Sequence, residues 1–82
     1  MRDTLQFLVS KIVDHPDEVS IEETEGEEQR VTLVVHVHPE DMGKVIGKSG
    51  RIIKALRDLI KLMAAKHGVY ADVVLAEDAK NA

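Results

Sequence analysis

Ten residues near the middle of the chain combine groups suited to holding an anion. They read Lys44-Val45-Ile46-Gly47-Lys48-Ser49-Gly50-Arg51-Ile52-Ile53. Two glycines bracket a lysine and a serine, and aliphatic residues flank them on both sides. Bare glycines let a sugar-phosphate backbone approach the main chain closely. A helix starting at Gly50 would present N–H groups without intrahelical partners, and these, with the helix dipole, favour a phosphate. Lys48 adds a mobile positive charge. Beyond the loop, Arg51, Lys54, Arg57 and Lys61 recur every three or four residues. On a helix that spacing makes a basic stripe beside the apolar face. Asp58 interrupts the stripe within reach of Lys54 and Lys61. Each part also has a plain structural reading. A G-x-x-G arises easily by chance, Ser49 can simply cap a helix, and a basic helix face can simply be solvated. Their coincidence in one loop is what carries weight.

Other chemistry is poorly supported. Gly47-Lys48-Ser49 matches the end of the phosphate-binding pattern G-x-x-x-x-G-K-[ST], but the first glycine would fall at Met42. Gly43 is one residue off, and no strand leads into the loop. His36 and His38 share a strand face, yet two histidines do not close a metal site. His15 and His67 lie on other elements, and the chain has no cysteine. No metal or cofactor is therefore expected. No nucleophile–base–orienter set suggests an enzyme. The aromatics are only Phe7 and Tyr70, and Phe7 falls near the apolar side of the first helix. RNA-binding folds that stack bases on exposed rings are thereby disfavoured, whereas an aliphatic groove is not.

The elements that must position the loop can be read from periodicity. Asp3 with Gln6 resembles a capping box, and Leu5, Leu8, Val9, Ile12 and Val13 share one helical face up to Pro16. Residues 18–23 alternate as a half-buried strand, with Val19 and Ile21 inward. Residues 24–29 form an acidic loop. Residues 30–38 make the clearest strand, with Val31, Leu33, Val35 and Val37 facing the core, and the two strands form a hairpin. Pro39 opens a short helix, with Glu40 and Asp41 at its positive end. Gly47 ends that helix in the left-handed cap conformation. Residues 50–66 are helical, with Ile52, Ile53, Leu56, Leu59, Ile60 and Met63 on one face, and Gly68 closes them. Residues 69–76 read as a third strand, and 77–82 as a frayed tail. The expected fold is α+β, in the order α-β-β-α-α-β, with a three-stranded mixed sheet and three helices on one face.

Eighty-two residues make one small domain with a modest core. The N-terminus has no secretory pattern, and no apolar run is long enough to span a membrane. A soluble, cytoplasmic protein is expected. The net charge of −4 conceals an asymmetry: residues 1–42 carry −8 and residues 43–82 carry +4. Such a split points to a polyanion or an acidic partner.

Residues 45–53, "VIGKSGRII", resemble the signature of the K-homology (KH) domain, and the element order resembles its type II, bacterial form. The resemblance covers roughly residues 1–76 and is nearest to the small bacterial single-KH proteins, the KhpA family. It implies binding of single-stranded RNA or DNA, with about four nucleotides held by their backbone and bases in an apolar groove. Gly47, Lys48, Ser49 and Gly50 would hold the phosphates. Val45, Ile46 and Ile53 would shape or support the groove, and the charge stripe adds Arg51 and Lys54. The acidic loop would be the variable loop on the groove's other wall, where Glu25, Glu27 and Glu28 repel phosphate and keep binding weak and salt-sensitive. The resemblance also implies a homodimer or a second KH-containing protein as partner. The expected role is an accessory or chaperone-like RNA-binding subunit. The competing reading is a KH-fold protein-interaction module, with Val34, Val74 and Tyr70 as an outward apolar patch.

Overall fold

The computed structural model describes residues 1–76, so the expected frayed tail, 77–82, lies outside the described residues. Six main elements follow the expected order: α1 (Arg2–Ile12), β1 (Ser20–Glu25), β2 (Arg30–His36), α2 (Met42–Ile46), α3 (Arg51–Lys66) and β3 (Tyr70–Leu75). Single 3-10 turns at Pro16–Glu18, Pro39–Asp41 and Lys48–Gly50 punctuate the connections.

The sheet order is β1-β2-β3, with β2 in the centre. β1 pairs antiparallel with β2, and Ile21 lies opposite Val35. β2 pairs parallel with β3, and Val35 lies opposite Leu75. This register puts Ile21, Val31, Leu33, Val35, Ala71, Val73 and Leu75 on one buried face. A one-residue slip would send every one of them to solvent, so burial of that face specifies the pairing. Leu5 and Val9 of α1, Val45 of α2, and Ile53, Leu56, Ile60 and Ala64 of α3 complete a single core. The opposite sheet face carries Glu22, Val34 and Val74 in one row. The fold is the expected α+β arrangement of three helices and a three-stranded mixed sheet.

Local details depart from the sequence reading. α1 begins at Arg2, with Met1 as an N-cap that makes no side-chain bond. Asp3 therefore lies in the first turn, and Gln6 instead donates to the Val19 carbonyl at 3.4 Å. Thr24 and Glu25 belong to β1, paired with Thr32 and Val31. The acidic loop thus shrinks to a tight turn, in which the Arg30 N–H donates to the Glu27 carbonyl at 3.1 Å. Its central residues, Glu28 and Gln29, have φ of 57° and 61°. Positive φ at both central positions is the type I′ pattern that matches the twist of a hairpin. Phe7 is 60% exposed, with the Lys11 ammonium 5.3 Å from its ring centroid, and is not part of the core. Leu59 and Leu62 of α3 are also exposed. The C-terminus of α3 closes as expected: the Val69 N–H donates to the Ala64 carbonyl and the Gly68 N–H to that of Ala65. This is the paired bonding of a Schellman cap.

Candidate nucleic-acid interface

The GKSG loop joins α2 to α3 through an abrupt change of direction. Gly47 has φ 78° and ψ 173°, a region that essentially only glycine occupies. It is not the left-handed cap expected from the sequence. A Cβ at Gly47 would lie 2.6 Å from Ile52 Cγ1, so Gly47 is bare because Ile52 packs against it. Ser49 (φ 58°, ψ 26°) and Gly50 (φ 71°, ψ 18°) follow in the left-handed region. The N-cap of α3 is Gly50, and Ser49 makes no capping bond. The simple helix-cap role for Ser49 is therefore overturned: a left-handed residue one position early cannot point its hydroxyl at the first turn. A Cβ on Gly50 would meet nothing within 4 Å, so this side of the loop is open. Lys48, Ser49 and Arg51 are exposed around that opening.

The basic residues are not equivalent. Lys44 pairs with Asp14 at 3.1 Å, and this bond to the Asp14 carboxylate holds its ammonium above the ordinary lysine range. Lys54 pairs with Asp58 at 2.9 Å, and that bond keeps the Asp58 carboxyl below its ordinary value. Arg57 donates through Nε to the Val73 carbonyl of edge strand β3 at 3.0 Å. Among the described residues, Lys48, Arg51 and Lys61 hold no ion pair. The aliphatic positions also divide. Val45 is 0% exposed and Ile53 7%, so both support the loop from the core. Ile46 is 37% exposed and is the one of the three that offers surface to a ligand.

A polar fastening that the sequence reading missed lies just before the loop. Asp41 is only 1% exposed. Its carboxylate accepts the backbone N–H groups of Asp14 (3.2 Å) and His15 (2.9 Å), and His15 Nδ1 lies 3.1 Å away. Burial opposes ionisation of Asp41, but these backbone and ring donors together hold its carboxyl below the ordinary range. The bond to Asp41 in turn raises the His15 imidazole above its ordinary value, against partial desolvation. The His15 ring stacks on His38, with centroids 4.1 Å apart and planes inclined by 14°. The structure thus brings together two histidines that the sequence reading kept on separate elements, and Glu40 lies beside them. A metal is a poor fit. His38 Nδ1 accepts the Glu40 N–H at 3.0 Å, so the ring proton is on Nε2. That nitrogen faces the Glu18 and Glu40 carboxylates at 3.8 Å and has no lone pair to give. The group fastens the α1–β1 connection to the β2–α2 connection. The repeated His-Pro at 15–16 and 38–39 was its only sequence trace.

The structure places the glycine-bounded loop between two helices, α2 and α3, as the KH resemblance implies. The family model described as KhpA/KhpB, KH domain, matches residues 2–75. The chain belongs to the KhpA/KhpB KH-domain family. It is 52% identical over 66 residues to the RNA-binding protein KhpA of Clostridium acetobutylicum, covering 80% of this chain and 87% of that one. It is 44% identical over 72 residues to that of Mycobacterium tuberculosis, covering 88% of each chain. Similarity to the RNA-binding protein KhpA of Chlamydia caviae is lower, at 37% over 78 residues, but covers 95% and 99% of the two chains. This is a family of KH-domain binders and not of enzymes. Among the described residues, no helix is long and apolar enough to cross a membrane.

Proposed function

We propose that this KH domain binds single-stranded RNA, with the GKSG loop gripping the backbone, in an accessory or chaperone-like role. The observation that carries the reading is the open side of Gly50, flanked by exposed Lys48 and Arg51 at the N-terminus of a 16-residue helix. First-turn N–H groups and unpaired cations there suit a phosphate. Gly47, Lys48, Ser49, Gly50 and Arg51 form the clamp. Ile46 lines the adjoining groove, Val45 and Ile53 hold it up from the core, and Lys54 contributes once a phosphate competes with Asp58 for it. That relatives are named RNA-binding proteins supports RNA as the ligand class.

The test is fluorescence anisotropy of short labelled single-stranded RNAs at low salt. Wild type is compared with Lys48→Asp/Ser49→Asp, and circular dichroism confirms both folds. Asp tolerates the left-handed position of Ser49, so the double variant should fold. Wild type is expected to bind with an affinity that falls steeply as salt rises, and the folded double variant should lose at least tenfold. Equal binding by the two would remove the loop from the interface, and a parallel titration with DNA reads the sugar preference.

A second reading, association with another copy of the chain or a second KH-containing protein, is favoured by exposed Phe7, Leu59 and Leu62. Sedimentation of wild type against Leu62→Ser checks the self-association arm. A single monomeric boundary for wild type at the highest concentration would dismiss a homodimer.

A further inference from the structure

We propose that, at the far end of the groove between α3 and edge strand β3, a base beyond those gripped at the loop stacks on Tyr70. This rests on the RNA reading above. Tyr70 opens β3 and is 64% exposed. It stands opposite Arg30 in the parallel pairing. The Arg30 guanidinium lies 5.6 Å from the Tyr70 ring centroid, and Nη1 of Arg30 donates to Asp72 at 2.9 Å. The ion pair holds the guanidinium against the ring, so the ring is steadied before any ligand arrives. An aromatic face held in place this way stacks a base at little cost in side-chain freedom.

The surroundings suit a nucleotide. A cavity of about 580 Å³ is bordered by Tyr70, Arg30, Gly68 and Lys61. A second hollow shares Lys61 and Asp72 with it and leads back to Arg57 and Val73. The two hollows follow α3 and β3 toward the loop. From Arg51 to Lys61 the helix rises about 15 Å. That distance sets the Tyr70 end apart from the nucleotides whose backbone the loop grips. Lys61, without an ion pair among the described residues, is placed to receive the phosphate between them. The acidic groups at this end define what can bind. Asp72 is committed to Arg30, while Glu27 and Glu28 sit in the turn whose Gln29 carbonyl accepts the Tyr70 N–H at 3.0 Å. They repel a phosphate, so the position takes a base by its face and leaves the backbone to Lys61.

The chain has one tyrosine and no tryptophan, so its intrinsic fluorescence reports on Tyr70 alone. Wild type, Tyr70→Ala, Tyr70→Phe and Lys61→Gln are titrated with mixed-sequence RNAs of four and eight nucleotides. The octamer should quench the tyrosine and the tetramer should not. In anisotropy, Tyr70→Ala should weaken the octamer about tenfold and leave the tetramer unchanged, and Tyr70→Phe should bind as wild type does. Lys61→Gln should weaken the octamer alone. Octamer binding that Tyr70→Ala does not alter overturns the proposal and leaves the loop reading standing. So does an equal loss for both lengths in a folded variant. A Tyr70→Ala effect on self-association without one on RNA also overturns it and turns this surface over to a protein partner. Failure of wild type to bind either length overturns both readings.

Discussion

The two glycines of the loop look alike in sequence and do different work. Gly47 is bare because Ile52 occupies the space where its Cβ would be, and its φ and ψ belong to glycine alone. Gly50 faces open space and needs only a left-handed backbone. Gly47→Ala is therefore expected to cost at least about 2 kcal/mol of stability, from strain and overpacking together. Gly50→Ala should cost about 1 kcal/mol. Chemical denaturation of the two variants checks the order, and equal losses would mean that Ile52 yields without resistance. The G-x-x-G spacing was legible in the sequence. The asymmetry was not, because it depends on a side chain five residues on that folds back over the turn.

At the scale of elements, the short helix α2 and the loop that follows are held by the Asp41 fastening. The N-terminal connection at Asp14 and His15 is tied by it to the segment that launches α2. Its pH dependence follows from two opposite shifts. His15 is raised, so its contribution is full below the unfolded value of about 6.5 and is lost as pH rises through the folded value. Asp41 is lowered, so its contribution is present above about 3.9 and is lost as pH falls through the folded value. The fastening is strongest between them. The stability difference between wild type and His15→Gln should be largest near pH 5.5 and shrink by pH 8.5, as thermal melts at the two values would show. A difference that grew with pH would contradict the assigned ion pair. Glu18 and Glu40 face the same ring and add to the slope, while His38 stacks on it. Sequence periodicity found the helices and strands around this group, since alternation and helical spacing are local signals. The group itself pairs residues 26 and 27 positions apart, which no local pattern records.

Across the whole molecule, the basic loop and the acidic hairpin turn lie at opposite ends of α3. The GKSG loop lies at its N-terminus, and the acidic turn at Glu27 and Glu28 lies by Tyr70, just after its C-terminus. The helix of 16 residues spans about 24 Å, roughly three Debye lengths at physiological salt. The turn therefore acts weakly on the loop and strongly on the Tyr70 end. Glu27→Gln/Glu28→Gln is expected to tighten an eight-nucleotide RNA severalfold at low salt, to tighten a tetramer less, and to lose its effect as salt is raised. Identical gains for both lengths would show that the turn faces the loop after all.

Element order, sheet faces, the core and the loop's composition were determined by the sequence alone, because each rests on spacing of a few residues and on burial of one face. The same is true of the Lys54–Asp58 pair, which needs only one helical turn. The tertiary structure alone decided which residues of these patterns reach the surface. Phe7, Leu59 and Ile46 carry apolar signals yet are exposed, because the sheet is narrow and the core fills before the helices run out of apolar positions. It also decided that Arg57 anchors on Val73, that Arg30 steadies Tyr70 through Asp72, and that Asp41 gathers Asp14 and His15. These contacts join distant parts of the chain, and their partners are chosen by how the elements pack and not by any spacing within them.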